Sequence, residues 1–205
     1  MRYEREPLND DNNVLINNFT DHLAEVEEVL EQSAYMVQQS GESGRENELI
    51  FDPKGTNQTL QDALESQGWK KGVNIATAGY GGGKDIDLYK NDVGGEVQFS
   101  HYTSLDSDIN RLQALSDGRL DLQNNLNVGA GILIVVKNSM PTSNSVSHFD
   151  QALERAAPIL IDLPVMVYGI EPPRKGEEVI FNEYEKPRSR TIINQNKINI
   201  EQDYF

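Results

Sequence analysis

Apolar positions change period several times along the chain, and each change marks an element. Ile16, Phe19, Leu23, Val26, Leu30 and Val37 recur at three-, four- and seven-residue intervals, the repeat of one helix face. They predict a long helix over 14–38, with Glu25, Glu27, Glu28 and Glu31 mainly on its solvated side. SGESGRENE, 40–48, reads as a polar loop. LIFDP, 49–53, reads as a short strand broken by Pro53, and TNQTLQDALESQG, 56–68, as a helix with Leu60, Ala63 and Leu64 inward and Gly68 as its stop.

A period of two then takes over. Ile86 and Leu88 alternate with Asp85, Asp87 and Tyr89, and Val97 and Phe99 alternate with Glu96 and Gln98, as half-buried strands require. SLDSDINRLQALSDG, 104–118, returns to helical spacing through Ile109, Leu112 and Leu115 and closes on Gly118. AGILIVVK, 130–137, is the unbroken apolar run of a strand buried on both faces. A helix through HFDQALERAA ends at Pro158, and PVMVYGI, 164–170, is another strand. Strands alternating with helices predict an α/β fold with a central mixed sheet flanked by helices. Beyond 171 the scattered Ile and Val give no legible period.

Composition narrows the class. At 205 residues one domain with a full core is expected. No apolar run approaches the roughly 18 residues of a membrane span, and the charged start, MRYEREPLNDDNN, lacks a secretory stretch. A cytoplasmic protein with no membrane partner is expected. The absence of cysteine removes disulfides, thiolate ligands and cysteine nucleophiles together. The net charge of −15 is concentrated at the start, where residues 1–50 hold twelve acids against three bases. Such a surface repels nucleic acid, but only on the face that bears it, and it also fits adaptation to high salt.

Among motifs, GYGGGK at 79–84 is not a phosphate loop. Ala78 stands where its first glycine belongs, Asp85 replaces the magnesium-binding Ser or Thr, and a strand pattern follows. His22, His101 and His148 show no metal spacing and read as surface or capping residues. Asp87, Glu96 and Gln98 differ. Glu96 and Gln98, two apart on a strand, share a face with α-carbons about 7 Å apart, and Asp87 joins them if its strand runs alongside. Converging carboxylates suit Mg²⁺. Spacing alone still favours an exposed acidic hairpin over a metal site.

Further blocks occur in a telling order: LIFDPKGTNQ (49–58), Trp69 in GWK, DIDLYKND followed by GEVQFSHY, the loop PTSNS, and SRTI (189–192). Over residues 46–192 the chain resembles the BglII-type restriction endonucleases, PD-(D/E)xK-fold nucleases related to the BstYI and BamHI enzymes. The resemblance implies a restriction-endonuclease-like (PD-(D/E)xK) fold and divides the single domain into an acidic helical part (1–45), a catalytic α/β core (46–170) and a C-terminal extension (171–205). It implies a type II enzyme, a homodimer that hydrolyses double-stranded DNA with Mg²⁺ at a short palindromic site with a GATC-like core.

By the same resemblance Asp87 and Glu96 are metal-binding carboxylates, with the Val97 carbonyl as a further ligand. Gln98 occupies the lysine position of the commoner pattern. Ser100, His101, Asn144 and Ser145 match base-contacting positions, and SNS before a helix is also a good N-cap. Arg188 and Arg190 are the best-placed basic groups. Gly72 stands where an active-site asparagine is expected, leaving that role vacant or taken by Asn74. His101 and Arg188 replace an asparagine and a tyrosine, so the target site need not be the same hexanucleotide. Two other readings are a structure-selective repair nuclease of the same fold, which needs no fixed sequence, and a non-catalytic acidic DNA mimic, which the charge supports.

Overall fold

In the computed structural model, described over residues 1–46, 48–77, 85–99, 102–143, 146–186 and 191–201, the apolar run of β7 (Ala130–Val136) forms the middle of the molecule. Every residue of β7 is buried. Ile132, Ile134 and Val136 enter one core cluster and Leu133 and Val135 the other, so the strand is covered on both faces, as its composition predicts. Parallel neighbours flank it, β6 (Val93–Val97) and β8 (Val165–Ile170). Antiparallel β5 (Asp85–Lys90) and β4 (Lys70–Asn74) extend the sheet beyond β6, and β1 (Tyr3–Leu8) closes it beyond β8. The order is β1-β8-β7-β6-β5-β4.

One face carries α4 (Tyr102–Ser116) and α5 (Phe149–Ile159), through Leu105, Ile109, Leu112, Phe149 and Ala156. Gly94 of β6 lets α4 come close: a Cβ there would meet Leu112 and Val128 at 3.3 Å. The other face carries α2 (Thr20–Gln32) and α3 (Pro53–Ser66), through Leu23, Val26, Leu30, Leu60 and Leu64. Here the expected helix over 14–38 is corrected. The chain breaks at Phe19 between α1 (Val14–Asn18) and α2, and α2 stops at Ser33, whose backbone is extended. Val37 belongs to β2 (Met36–Gln39), so its helical spacing is coincidental, and Ile16 is exposed. Strand pairing decides the outcome: Val37 lies opposite Phe51 of β3 (Leu49–Phe51) and opposite Phe181 of β9 (Glu178–Tyr184).

Those pairings build a second sheet, β10-β9-β2-β3, with β10 (Ile192–Asn199) at its edge. It packs into the same cluster as α2 and α3 through Val37, Phe51 and Val179. Asp52 ties this sheet to α3. The fully buried carboxylate caps the helix by accepting from the N–H groups of Lys54 and Gly55, each at 3.1 Å, and accepts from Asn182 Nδ2 at 2.6 Å and the Tyr184 hydroxyl at 2.7 Å. Pro158 lies inside α5, one residue before its end, instead of terminating it. The GYGGGK stretch falls outside the described residues apart from its flanks.

Candidate active site

Strand β5 is irregular at Asp87. Its ladder with β4 keeps a constant register on either side of Asp87, its ladder with β6 ends at Leu88 opposite Gly95, and no partner is paired to Asp87 itself. Ile86 packs into the α4–α5 cluster and Leu88 into the opposite one, where a regular strand would put both on one face. The β4 register sets Gly72 across from Asp87, and Gly72 has φ +56, a backbone that disfavours any residue with a Cβ. The Asp87 carboxylate turns to β6, where its Oδ2 accepts the Val97 N–H at 2.9 Å.

On β6 the alternation holds: Val97 and Phe99 pack with the α2–α3 side, while Glu96 and Gln98 meet α4. Gln98 Nε2 donates to Asp108 Oδ2, and Arg111 Nη2 donates to Asp108 Oδ1. Arg111 Nη1 donates to the Asp85 carbonyl at 2.6 Å and stands 3.4 Å from Glu96 Oε1. That contact is an ion pair without a hydrogen bond, since Glu96 Oε1 is a buried acceptor that no donor reaches. Glu96, Gln98, Asp108 and Arg111 are all buried. They line a cleft of about 410 Å³ with Asp87, and the N-terminal turn of α3 adds Lys54 and Asn57 to its wall.

Electrostatics follow from crowding. Burial pushes the Glu96 carboxyl well above the ordinary carboxylate range; Arg111 opposes this, while Asp87 and Asp108 add to it. Burial raises Asp87 as well, against the Val97 N–H and Arg111. Asp108 is pushed up to about 6 by burial, with Arg111 and the Gln98 amide pulling it down. Three carboxyls and one guanidinium leave uncompensated negative charge in a poorly solvated place. Oxygen donors with surplus negative charge and an orphaned buried Glu96 oxygen fit a hard divalent cation. Among the described residues, no group of three or more His, Asp or Glu side chains converges closely enough to hold a metal ion by itself. Asp87 and Glu96 would hold such an ion with few protein ligands, the manner of Mg²⁺, which keeps water or substrate oxygens in its remaining positions.

Ser100, His101, Asn144, Ser145, Arg188 and Arg190 lie outside the described residues. The segments that precede Ser100 and Asn144 are anchored through Phe51 and Arg45. Phe51 donates its N–H to the Pro141 carbonyl at 2.7 Å, and its ring meets Phe99, which lines the cleft, edge-on at 5.0 Å. Arg45 Nη1 donates to the Thr142 carbonyl at 3.3 Å. Asn74 is exposed, opposite Asp85, whereas Asn57 lines the cleft and has a buried Oδ1 that accepts no hydrogen bond. His148 is the N-cap of α5, as a capping reading requires. His22 is neither surface nor cap: its ring sits edge-on to Phe19 and Trp69 at 5.9 and 6.0 Å, with both nitrogens buried and unbonded.

Known proteins share this fold. The family described as restriction endonuclease BglII/BglIII matches residues 8–170. The chain belongs to that family. The type II restriction enzyme BglII of Bacillus subtilis is 30% identical over 180 residues, covering 85% of this chain and 80% of the relative. The crystal structure of BglII complexed with a DNA 16-mer superposes with a TM-score of 0.87 at 27% identity, over 97% of this chain and 90% of that one. Free BglII superposes at 0.70, again at 27% identity, over 97% and 93%. The shape of this BglII-family chain is thus nearer the DNA-complexed structure than the free one. The restriction-endonuclease-like α/β architecture expected from the sequence is borne out.

Five polar side chains at the cleft, Lys54, Asn57, Ser104, Asp108 and Arg111, carry no distinct signal in the sequence. Lys54 and Asn57 lie within LIFDPKGTNQ, a block noticed as a whole without a role for either. Asp108 and Arg111 sit three apart on α4. A polar pair on the side of α4 facing Gly94 of the sheet was the available signal, and it depends on knowing which strand α4 covers.

Proposed function

We propose that the chain is a type II restriction endonuclease that hydrolyses phosphodiester bonds in double-stranded DNA at a short palindromic site with a GATC-like core. The observation that carries the reading is the convergence of Asp87, Glu96 and Gln98 in one cleft, in a chain whose fold superposes on a DNA-bound BglII at 0.87. The enzyme acts as a homodimer, because two copies related by a two-fold axis match the two strands of a palindrome. Its cofactor is Mg²⁺ and its place of action the cytoplasm. Among the described residues, no helix is long and apolar enough to cross a membrane.

In this reading Asp87 and Glu96 would hold the cation, together with the Val97 carbonyl. When bound, Mg²⁺ supplies a more acidic water and offsets charge on the phosphate oxygens. Gln98 is no general base, because an amide does not take up a proton near neutral pH; it holds the attacking water by a hydrogen bond. As the water oxygen bonds to phosphorus, the opposite P–O bond breaks; the water proton passes to a phosphate oxygen of the DNA, and the leaving sugar oxygen takes a proton from solvent water and departs as an alcohol. Lys54, exposed at the cleft with its Nζ 5.2 Å from the Tyr184 ring centroid, contacts the DNA backbone. Ser100, His101, Asn144, Ser145, Arg188 and Arg190 contact bases or phosphates, with asparagine suited to adenine. Sequencing the ends of cleaved plasmid tests the specificity: one recurring palindrome supports it, and ends scattered over unrelated sequences would refute it.

A further inference from the structure

Gln98 and its neighbours form a chain of donors and acceptors that has only one polarity. Arg111 is donor-only, so Nη2 must find an acceptor, and it finds Asp108 Oδ1. An ionised carboxylate is acceptor-only, so the other oxygen, Oδ2, can meet only the nitrogen end of the Gln98 amide. Arg111 is fixed in turn by the Asp85 carbonyl at 2.6 Å and by Glu96 Oε1 at 3.4 Å. Gln98, Asp108 and Arg111 are 5%, 8% and 6% exposed, so bulk water does not readily substitute for a partner. We infer that Asp108 is a positioning residue for the hydrolytic step, which orients the Gln98 amide so that its oxygen and not its nitrogen serves the cleft.

The inference rests on the nuclease reading and gives Gln98 a defined part in it. A water that donates a hydrogen to Gln98 Oε1 keeps an oxygen lone pair free for phosphorus. A water that accepts from Gln98 Nε2 spends one of its two lone pairs on that bond and loses electron density to it, so it is the weaker nucleophile. Orientation of one amide therefore separates a productive water from an unproductive one, and misplacement of a reacting group costs about 100-fold in rate.

Exchange of the two side-chain chemistries tests this. In Asp108→Asn, the asparagine oxygen keeps Arg111 and its Nδ2 confronts Gln98, which must turn its oxygen inward to accept. Turnover is expected to fall roughly 10- to 100-fold, with KM and metal-free DNA affinity unchanged. Gln98→Glu alone sets two carboxylates against each other and is also slow. Asp108→Asn combined with Gln98→Glu restores the pair, with the glutamate accepting from Asn Nδ2 and offering its other oxygen to the cleft, and turnover recovers. Melting temperatures separate misfolding from misorientation. Should Asp108→Asn fail to fold, the double variant, which keeps a donor–acceptor pair between positions 98 and 108 and an acceptor for Arg111, decides against Gln98→Glu alone.

A second readout needs neither metal nor substrate. The Gln98 side-chain NH₂ signals in a ¹H–¹⁵N spectrum of the metal-free protein are expected to be protected from exchange, and Asp108→Asn shifts and deprotects them. Asp108→Asn cutting at the wild-type rate, a double variant no faster than both single variants, or unprotected Gln98 amide protons in wild type would each overturn the inference. A wild type that cuts no DNA would overturn the nuclease reading, and the amide spectrum would still report the orientation.

Discussion

Asp87 reaches from β5 to β6 and accepts the backbone N–H of Val97 at 2.9 Å, just beyond the last ladder pair of the two strands, Leu88 and Gly95. Asp87 falls between Ile86 and Leu88, which pack on opposite sides of the sheet, and its carboxylate lines the cleft with Glu96. This irregularity of β5 accompanies the meeting of the two carboxyls.

That pair is costly without a cation. Asp87→Asn keeps an oxygen for the Val97 N–H and removes one of the crowded charges. Cleavage is expected to fall by at least about 1,000-fold, while the metal-free melting temperature rises by about 2–4 °C, the effect of about 1 kcal/mol in a protein of this size. Calorimetry beside a cleavage assay checks both. A lower melting temperature would mean that Asp87 is chiefly structural.

The crowded carboxyls also set a pH dependence. Burial raises Glu96, Asp87 and Asp108 above their ordinary values. A carboxyl raised in the fold binds its proton more tightly there than in the unfolded chain, so its stabilisation is complete at low pH and is lost as pH rises toward the raised value. For Asp108 the window runs from 3.8 to about 6. The metal-free melting temperature of wild type should therefore drop relative to Glu96→Gln as pH rises from about 4, and saturating Mg²⁺ should close the gap. A constant difference between the two across pH would contradict the shift.

Asp52 holds the second sheet to α3, and its loss leaves two helix N–H groups, Asn182 Nδ2 and the Tyr184 hydroxyl without their acceptor. Asp52→Ala is expected to destabilise by about 3 kcal/mol, the sum of a lost cap and buried unpaired donors. Urea denaturation followed through Trp69 fluorescence measures it; a loss below about 1 kcal/mol would show that the network relaxes without Asp52.

Lys54 is exposed where α3 meets the cleft. If it contacts a phosphate, Lys54→Ala weakens binding to all DNA sequences alike and reduces the slope of log affinity against log salt by about 1. An unchanged slope would remove Lys54 from the interface.

Much of this protein is legible in its sequence where local pattern and burial agree. The apolar run at 130–137, the helical spacing of Ile109, Leu112 and Leu115, and the shared face of Glu96 and Gln98 all correspond to observed elements. Pattern misleads where partners are distant. Val37 continues a helical spacing by chance, but its neighbours are Phe51 and Phe181, the latter far along the chain. β10 has no pattern because nearly all of it is exposed. Asp108 and Arg111 look like an ordinary helix pair until α4 is known to lie against β6. Asn57, from a different element, lines the cleft, and Asn74, close in sequence to Gly72, is not among its lining residues.

Incubation of plasmid DNA with wild type and with Glu96→Ala, with and without Mg²⁺, tests the central claim most directly. The account predicts a discrete set of fragments from wild type with Mg²⁺ and intact plasmid in the other three reactions. Intact plasmid from wild type across a range of salt, or the same fragments from Glu96→Ala, would contradict it.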